Sequence, residues 1–380
     1  MTIPVMKPWL GDEEAQAAAA TVAGGWVAQG PKVAAFEQAV AALVGASHGV
    51  AVSSCTTALH LSLVLAGVGP GDEVVVPSLS FIATANVVVQ CGATPVFADV
   101  DPYTLNLTAE TVAASLSGRT RAVIVVHQAG TPADLDAIDA VCSPAGVLVI
   151  EDAACAIGSE YKGEPIGGGS NPAALSFHPR KVITTGEGGI LLLSRGDWAD
   201  RARRLREHGM SVSAAARHHS DRLVLESYDE VGFNYRMTDI QAAIGLVQLG
   251  RLAQIVERRR HLAAAYRQML ADVPGLVMAD DPAYGRSNFQ SFWVQLPEDF
   301  PLGRNQLLEH MMAAGVSARR GIMAAHLEPA YAGRPPVHLP VTEVVTGRSL
   351  ILPLFHELTT DQQRHVADVL RKEAGLSASL

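Results

Sequence analysis

Between residues 49 and 155 the chain alternates short β-branched and aliphatic runs with longer segments whose apolar positions recur at helical spacing. "GVAVSS" is followed by "TTALHLSLVLAG" and "DEVVVP" by "SFIATANVVVQCG". The rhythm continues through "TPVFADV", "RAVIVVHQAG", "PADLDAIDAVC" and "GVLVIEDAA". Strand-like runs that are apolar on both faces, separated by helical patterns, predict an α/β fold with a parallel sheet covered by helices on both sides. In such sheets ligands gather at the carboxyl ends of the strands, here Ser53 and Ser54, Pro77 and Ser78, His127, and Glu151 and Asp152. Two further runs, "AALSF" and "GGILLLS", flank a tight loop that carries Lys181.

After "SRGDWADRARRLREHG" the pattern turns polar and loop-rich around residues 209–228, a stretch expected, with the C-terminal third, to set substrate choice. From Thr238 the apolar residues resume helical spacing for about three dozen positions, long enough to bend or to link two domains. The boundary is placed near Leu252. Residues 1–252 form the large domain, whose N-terminal segment is expected to pack on the small one. Residues 253–380 form a smaller α+β domain, with "SNFQSFWVQLP" as a strand and "GRNQLLEHMMAAGV" as a helix.

Composition narrows the function. Of 380 residues, 48% are hydrophobic and 18% charged, which supports sizeable cores and excludes a disordered chain. The net charge is -9, and the short basic clusters at 201–206 and 258–260 read as solvated helix faces, so nucleic acid is excluded as a partner. No apolar run approaches the ~18 to 20 residues of a membrane span and none resembles a signal peptide, which points to a cytoplasmic protein that does not engage a membrane. The four cysteines, Cys55, Cys91, Cys142 and Cys155, have neither C-x-x-C spacing nor histidine partners, so no metal site or disulfide framework is expected.

Three features carry chemistry. A lysine in a restricted, partly apolar loop, such as Lys181, can lose solvation, become a neutral nucleophile and form an imine with an aldehyde; it can equally be a solvated surface group. Asp152 ends a very apolar strand, where an unpaired carboxylate is costly, so it either meets a cation such as a protonated pyridine nitrogen or caps the segment that follows. In "SSCTTALHLSL" a strand breaks into small hydroxyl residues and then a helix, which makes a phosphate site, although Ser54 or Thr56 as ordinary N-caps explain the pattern too. A phosphate cup, a buried carboxylate and a loop lysine together describe a pocket for pyridoxal 5′-phosphate.

"WVAQGPKVAAFEQAVAALVG", "GDEVVVPSLSFIATANVV", "EDAACAIG", "SFHPRKVITTGEGG" and "DEVGFNYRMTDIQAAIGLVQL" resemble successive motifs of the DegT family of nucleotide-sugar and cyclitol aminotransferases, fold-type I enzymes that use this cofactor. The likeness runs from residue 7 to 265 and thins afterwards. It implies that Lys181 holds the cofactor as an internal aldimine, released as pyridoxamine 5′-phosphate in turnover, and that Asp152 faces the pyridine nitrogen. It implies further that Phe81 lies over the ring, otherwise a core position, that Cys55 and Thr56 bind the phosphate with Ser176, and that Asn234 reaches the phosphate of a second subunit in a homodimer with shared active sites. Two positions depart from the family. Cys155 stands where Gln or His is frequent, and Cys55 replaces a glycine at a close approach to phosphate.

His178 and His127 are candidates for touching substrate, each with a structural alternative. Arg236, Arg319, Arg320 and His326 are candidates for an anionic substrate or a donor carboxylate, against the commoner solvent-facing role. The activity implied is transfer of an amino group from glutamate or glutamine to a keto group on a nucleotide sugar or cyclitol. The rivals are a sugar dehydratase, whose relatives usually carry His at the lysine position, and a non-catalytic subunit marked by the two cysteine replacements.

Overall fold

The apolar runs of the first half pair into one seven-stranded sheet. The computed structural model describes residues 2–212, 217 and 222–377, so part of the polar stretch 209–228 lies outside the described residues. In chain order the strands are β1 (His48–Val52), β2 (Glu73–Pro77), β3 (Thr94–Ala98), β4 (Thr120–Val126) and β5 (Leu148–Asp152). After the short pair β6 (Glu160–Tyr161) and β7 (Glu164–Pro165) come β8 (Ala173–Ser176) and β9 (Gly189–Leu193). The sheet order is β1-β9-β8-β5-β4-β2-β3, parallel throughout except for β9.

Both faces of the sheet are covered, and side chains alternate between them as the pleat requires. Val74, Val76, Ile124 and Ile150 share a core with the helices Cys55–Leu65 and Ala83–Gln90, while Val75, Val123, Val125 and Val149 face Val112 and Ile138 on the other side. Burying each such side chain contributes about 1.5–3 kcal/mol. The reversal of β9 matters most for function. A parallel neighbour would need a crossover, but an antiparallel one closes through a loop, and residues 177–188 therefore run along the carboxyl edge of the sheet with Lys181 among them.

The second half opens with one helix, Asp239–Met269, of 31 residues. Its start is fixed by a reciprocal cap: Thr238 Oγ1 accepts from Gln241 N at 3.3 Å and Gln241 Oε1 accepts from Thr238 N at 2.9 Å. The first part of this helix serves the large sheet's core through Leu252, Ile255 and Val256. The last part serves a second core through Leu262, Ala263, Tyr266 and Leu270, so Leu252 falls inside a helix that both cores share.

That second core lies under a four-stranded antiparallel sheet. After β10 (Val277–Met278) and β11 (Gly285–Arg286), which joins β6 and β7, come β12 (Phe292–Gln295), β13 (Arg319–Arg320) and β14 (Ser349–Leu352), in the order β10-β12-β14-β13. Helices Arg304–Ala313 and Thr360–Glu373 cover it through Leu307, Met311, Val366 and Leu370. The N-terminal segment is tied to this layer: Ile3 N donates to Gly315 O at 2.8 Å and Ser317 N donates to Ile3 O at 2.9 Å.

Candidate active site

A cavity of about 680 Å³ lies between the carboxyl edge of the large sheet and the second sheet. Phe81, Cys155, Arg180 and Lys181 line it from one side, and Trp293, Arg319, Arg320 and Ile351 from the other. Lys181 Nζ lies 3.1 Å from Cys155 Sγ. Burial pulls the pKa of the lysine down, but Cys155, Cys55 and Asp152 oppose it and leave the amine above its ordinary value. Desolvation alone therefore does not set the state of Lys181, because the neighbouring groups act against it.

Asp152 ends β5 and is 6% exposed. Thr84 Oγ1 donates to its Oδ2 at 2.8 Å, and Ser80 Oγ lies 2.9 Å from that hydroxyl. Ala154 N donates to Oδ1 at 3.2 Å, so the local turn that the sequence offered as an alternative is present. A carboxylate has about four lone-pair directions, and these contacts leave room for a further donor. Cys55 Sγ lies below, 3.9 Å from Asp152 Oδ1 and 3.5 Å from Ala174 O, with burial first and the Asp152 charge second pushing its thiol pKa well up. The side chain that replaces the expected glycine is thus a neutral thiol turned into the sheet, which leaves the backbone open.

The helix Cys55–Leu65 begins here. Ser54 Oγ accepts from Thr57 N at 3.2 Å, and the first helical bond runs from Ala58 N to Ser54 O at 3.1 Å. Ser54 is the N-cap, and the amides of Cys55 and Thr56 precede the helical bonding pattern, free to meet an anion. Gly189 makes this turn possible: a Cβ there would lie 2.3 Å from Ser54 C and 2.4 Å from Cys55 N. Ser176, at the neighbouring strand end, is buried, and its Oγ has only a long contact of 3.4 Å from His178 N.

The remaining candidates separate cleanly. Phe81 is 70% exposed on the cavity, which removes its reading as core packing. His127 is 0% exposed, and the structure takes it out of the substrate role: its Nδ1 accepts from Ala133 N at 3.1 Å and its Nε2 lies 3.1 Å from Glu151 Oε2, so it braces the sheet. Glu151 is the other half of that pair. His326 is engaged at one ring nitrogen, with Nδ1 2.6 Å from Ser78 Oγ, while Nε2 lies 3.6 Å from Glu343 Oε1, and burial lowers its pKa. His178 lies outside the cavity lining; its Nδ1 accepts from Arg180 N at 3.2 Å. Asn234 and Arg236 are outside it as well. Asn234 is exposed and its segment is anchored where Tyr235 O accepts from Ser53 N at 2.8 Å.

Several contributors carry no sequence signal. Thr84 is one polar position within an apolar helix. Asn288 braces the loop at Cys155, donating through Nδ2 to Cys155 O and Ile157 O at 2.8 Å each. Arg259, in the 258–260 cluster expected on a solvated helix face, is instead fully buried: its Nε donates to Phe289 O at 2.9 Å, and burial pushes its pKa down to about 10. Gln290 Nε2 then holds Arg180 O at 2.9 Å, which couples this loop to the lysine segment. Among the described residues, no cluster of three or more His, Cys, Asp or Glu side chains is placed to hold a metal ion.

These groups fit pyridoxal 5′-phosphate on chemical grounds: a cavity amine, a carboxylate with a free lone pair, an exposed aromatic face and two unengaged backbone amides at a helix start. A model of the DegT/DnrJ/EryC1/StrS aminotransferase family matches residues 8–371, well past residue 265, where the motif likeness thins. The aminotransferase TlmJ from Streptoalloteichus hindustanus is similar at 37% identity and a TM-score of 0.90, with 98% of this chain and 99% of that one covered. DesI, solved in the presence of its TDP-sugar product, is similar at 34% identity and a TM-score of 0.88, covering 98% of this chain and 93% of that one. DesV of S. venezuelae is similar at 33% identity and a TM-score of 0.89, with 98% of each chain covered.

Proposed function

The chain belongs to the DegT/DnrJ/EryC1/StrS aminotransferase family, and from that premise we propose that it passes an amino group from glutamate or glutamine to the keto group of a nucleotide sugar. It is a pyridoxal 5′-phosphate-dependent aminotransferase. A nucleotide sugar is favoured over a cyclitol because DesI, at 34% identity, was solved with a TDP-sugar product. The observation that carries the site is the position of Lys181 Nζ, on the cavity and 3.1 Å from Cys155 Sγ, a few residues along the chain from Asp152.

When bound, the cofactor supplies an electron-withdrawing ring that spreads the negative charge arising at the substrate carbon. The protein does the rest. Lys181 would hold the cofactor through its amine and, when that amine is free, would move the proton at that carbon. Asp152, kept in place by Thr84, presents a carboxylate to the ring nitrogen. Phe81 shields the outer face, and the amides of Cys55 and Thr56 with the Ser176 hydroxyl hold the phosphate. We assign Asn234 to the same phosphate in the partner of a homodimer, a reading supported by its exposure away from its own cavity. A cytoplasmic location accords with four free thiols, and none of the described helices is long and apolar enough to cross a membrane.

Borohydride treatment of the yellow holoenzyme followed by peptide mass spectrometry tests the assignment. A pyridoxyl group on Lys181, absent in Lys181→Ala, is expected, together with a reversible colour change when glutamate or glutamine is added. A cofactor found on another lysine, or none at all, removes the assignment.

A further inference from the structure

Of the four free cysteines, Cys155 alone lines the cavity, where it is half-buried and open to a small solute. Burial pushes the other three thiols up, Cys91 and Cys142 to about 11, which keeps them inert. Amino-group transfer needs no thiol, yet Cys155 Sγ lies 3.1 Å from Lys181 Nζ. One short loop holds both sides of that contact: Asn288 Nδ2 donates to Cys155 O at 2.8 Å, and Gln290 Nε2 donates to Arg180 O at 2.9 Å. On the lysine side, Lys181 N closes a turn by donating to His178 O at 2.9 Å. Cys55 Sγ is engaged with Asp152 and Ala174, so the reactive neighbour of Cys155 on the cavity is the amine. A thiol and an amine are thus fixed in contact, within reach of solutes that enter the cavity.

We propose that Cys155 is a peroxide-sensitive modification site, whose oxidation joins its sulfur to the nitrogen of Lys181 whenever that amine is free. A hydroperoxide takes the thiol to a sulfenic acid, and hydrogen peroxide is itself reduced to water. The amine then attacks the oxidised sulfur: an S–N bond forms, the S–O bond breaks, and the hydroxyl leaves with a proton from the nitrogen as water. Thiol and amine together give up two hydrogens to the oxidant. A dithiol reverses the bridge by opening the S–N bond, which returns the thiol and the amine while the dithiol becomes a disulfide. With the cofactor bound to Lys181 the nitrogen is taken and the bridge does not close. This regulates the site of the aminotransferase reading and rests on that reading only for what the bridge would block.

The full-length protein is treated with hydrogen peroxide in two forms, with the cofactor on Lys181 and after its removal, and is mapped by peptide mass spectrometry. The bridge draws on the neutral fraction of the amine, so the treatment is made at mildly alkaline pH. The cofactor-free form is expected to lose two hydrogens and to yield the Cys155 and Lys181 peptides joined, and dithiothreitol should separate them. Capture of pyridoxal 5′-phosphate should fall in proportion to the bridged fraction and return with the dithiol. Cys155→Ser and the cofactor-bound form should give no joined peptide. In Lys181→Ala, dimedone should label Cys155, because the sulfenic acid has no amine to meet. A product that keeps the added oxygen, a disulfide between Cys55 and Cys155, or an untouched Cys155 overturns the proposal. The borohydride test of Lys181 needs no thiol, so a missing bridge leaves the aminotransferase assignment standing, and a bridge without cofactor on Lys181 removes only that assignment.

Discussion

Gly189→Ala is the most direct test of how the phosphate cup is built. The added methyl would sit 2.3 Å from Ser54 C and 2.4 Å from Cys55 N, and since both atoms are backbone, no side-chain rotation relieves the clash. One of the two segments has to retreat by roughly 1 Å to reach ordinary van der Waals separation. Overpacking of this kind costs about 1–3 kcal/mol in stability. If the retreat breaks one charge-assisted bond from the amides of Cys55 or Thr56, a further loss of about 1.5–3 kcal/mol falls on the cofactor, which weakens its binding about 10- to 150-fold. The assay is fluorescence titration of the cofactor-free protein with pyridoxal 5′-phosphate, alongside a thermal melt. Gly250→Ala is the control, because a Cβ there meets nothing within 4 Å and the site is inside a helix, so that variant should gain about 0.5–1 kcal/mol. Wild-type cofactor affinity in Gly189→Ala would mean that the helix start either relaxes freely or does not hold the phosphate.

Cofactor capture by the cofactor-free protein requires neutral Lys181, whose pKa is held above its ordinary value of 10.5. The capture rate should therefore climb with pH throughout the neutral and mildly alkaline range, and Cys155→Ala, which leaves burial less opposed, should move that profile to lower pH; stopped-flow absorbance decides, and an unmoved profile would refute the role of Cys155. The linked stability has the matching sign: a raised lysine pKa stabilises the fold below the unfolded value and that share is lost as pH rises through the folded one, so melts of the cofactor-free wild type should fall above about pH 10.5 more than those of Cys155→Ala. His127→Ala should lower the melting temperature, since it leaves buried Glu151 without its partner at a cost of about 1–3 kcal/mol, yet leave KM for the keto substrate unchanged; a large KM effect would return His127 to the substrate site. Mixed dimers of Lys181→Ala and Asn234→Ala subunits should recover part of the activity, because one composite site stays intact, and no recovery in confirmed heterodimers would refute the cross-subunit assignment.

The carboxyl edge of the sheet was readable because β-branched runs in β1 to β5 are apolar on both faces, and the lysine loop because strand-like runs flank it. The strand reversal that places this loop was not readable, since β9, "GILLL", is as apolar as the parallel strands of the sheet and composition carries no direction. Asp152 could be singled out from its apolar strand, but Thr84 could not, because its bond to Asp152 depends on how the helix Ala83–Gln90 docks. His127 was ambiguous for a physical reason: a strand-end position is shared by side chains that face the ligand and those that brace the sheet, and the bonds to Ala133 and Glu151 favour the second. Cys55 looked like an obstruction on paper. Its thiol turns towards Asp152 and Ala174, a direction that the identity of a residue does not encode.

The single helix from Asp239 to Met269 anchors one hydrophobic core at Leu252 and another at Tyr266. Cutting the chain anywhere along it strands an oily half-cylinder on each fragment, so neither piece is expected to be well behaved when expressed alone. Chimaeras that exchange substrate preference between relatives should carry this rod intact and splice in the turns beyond its ends.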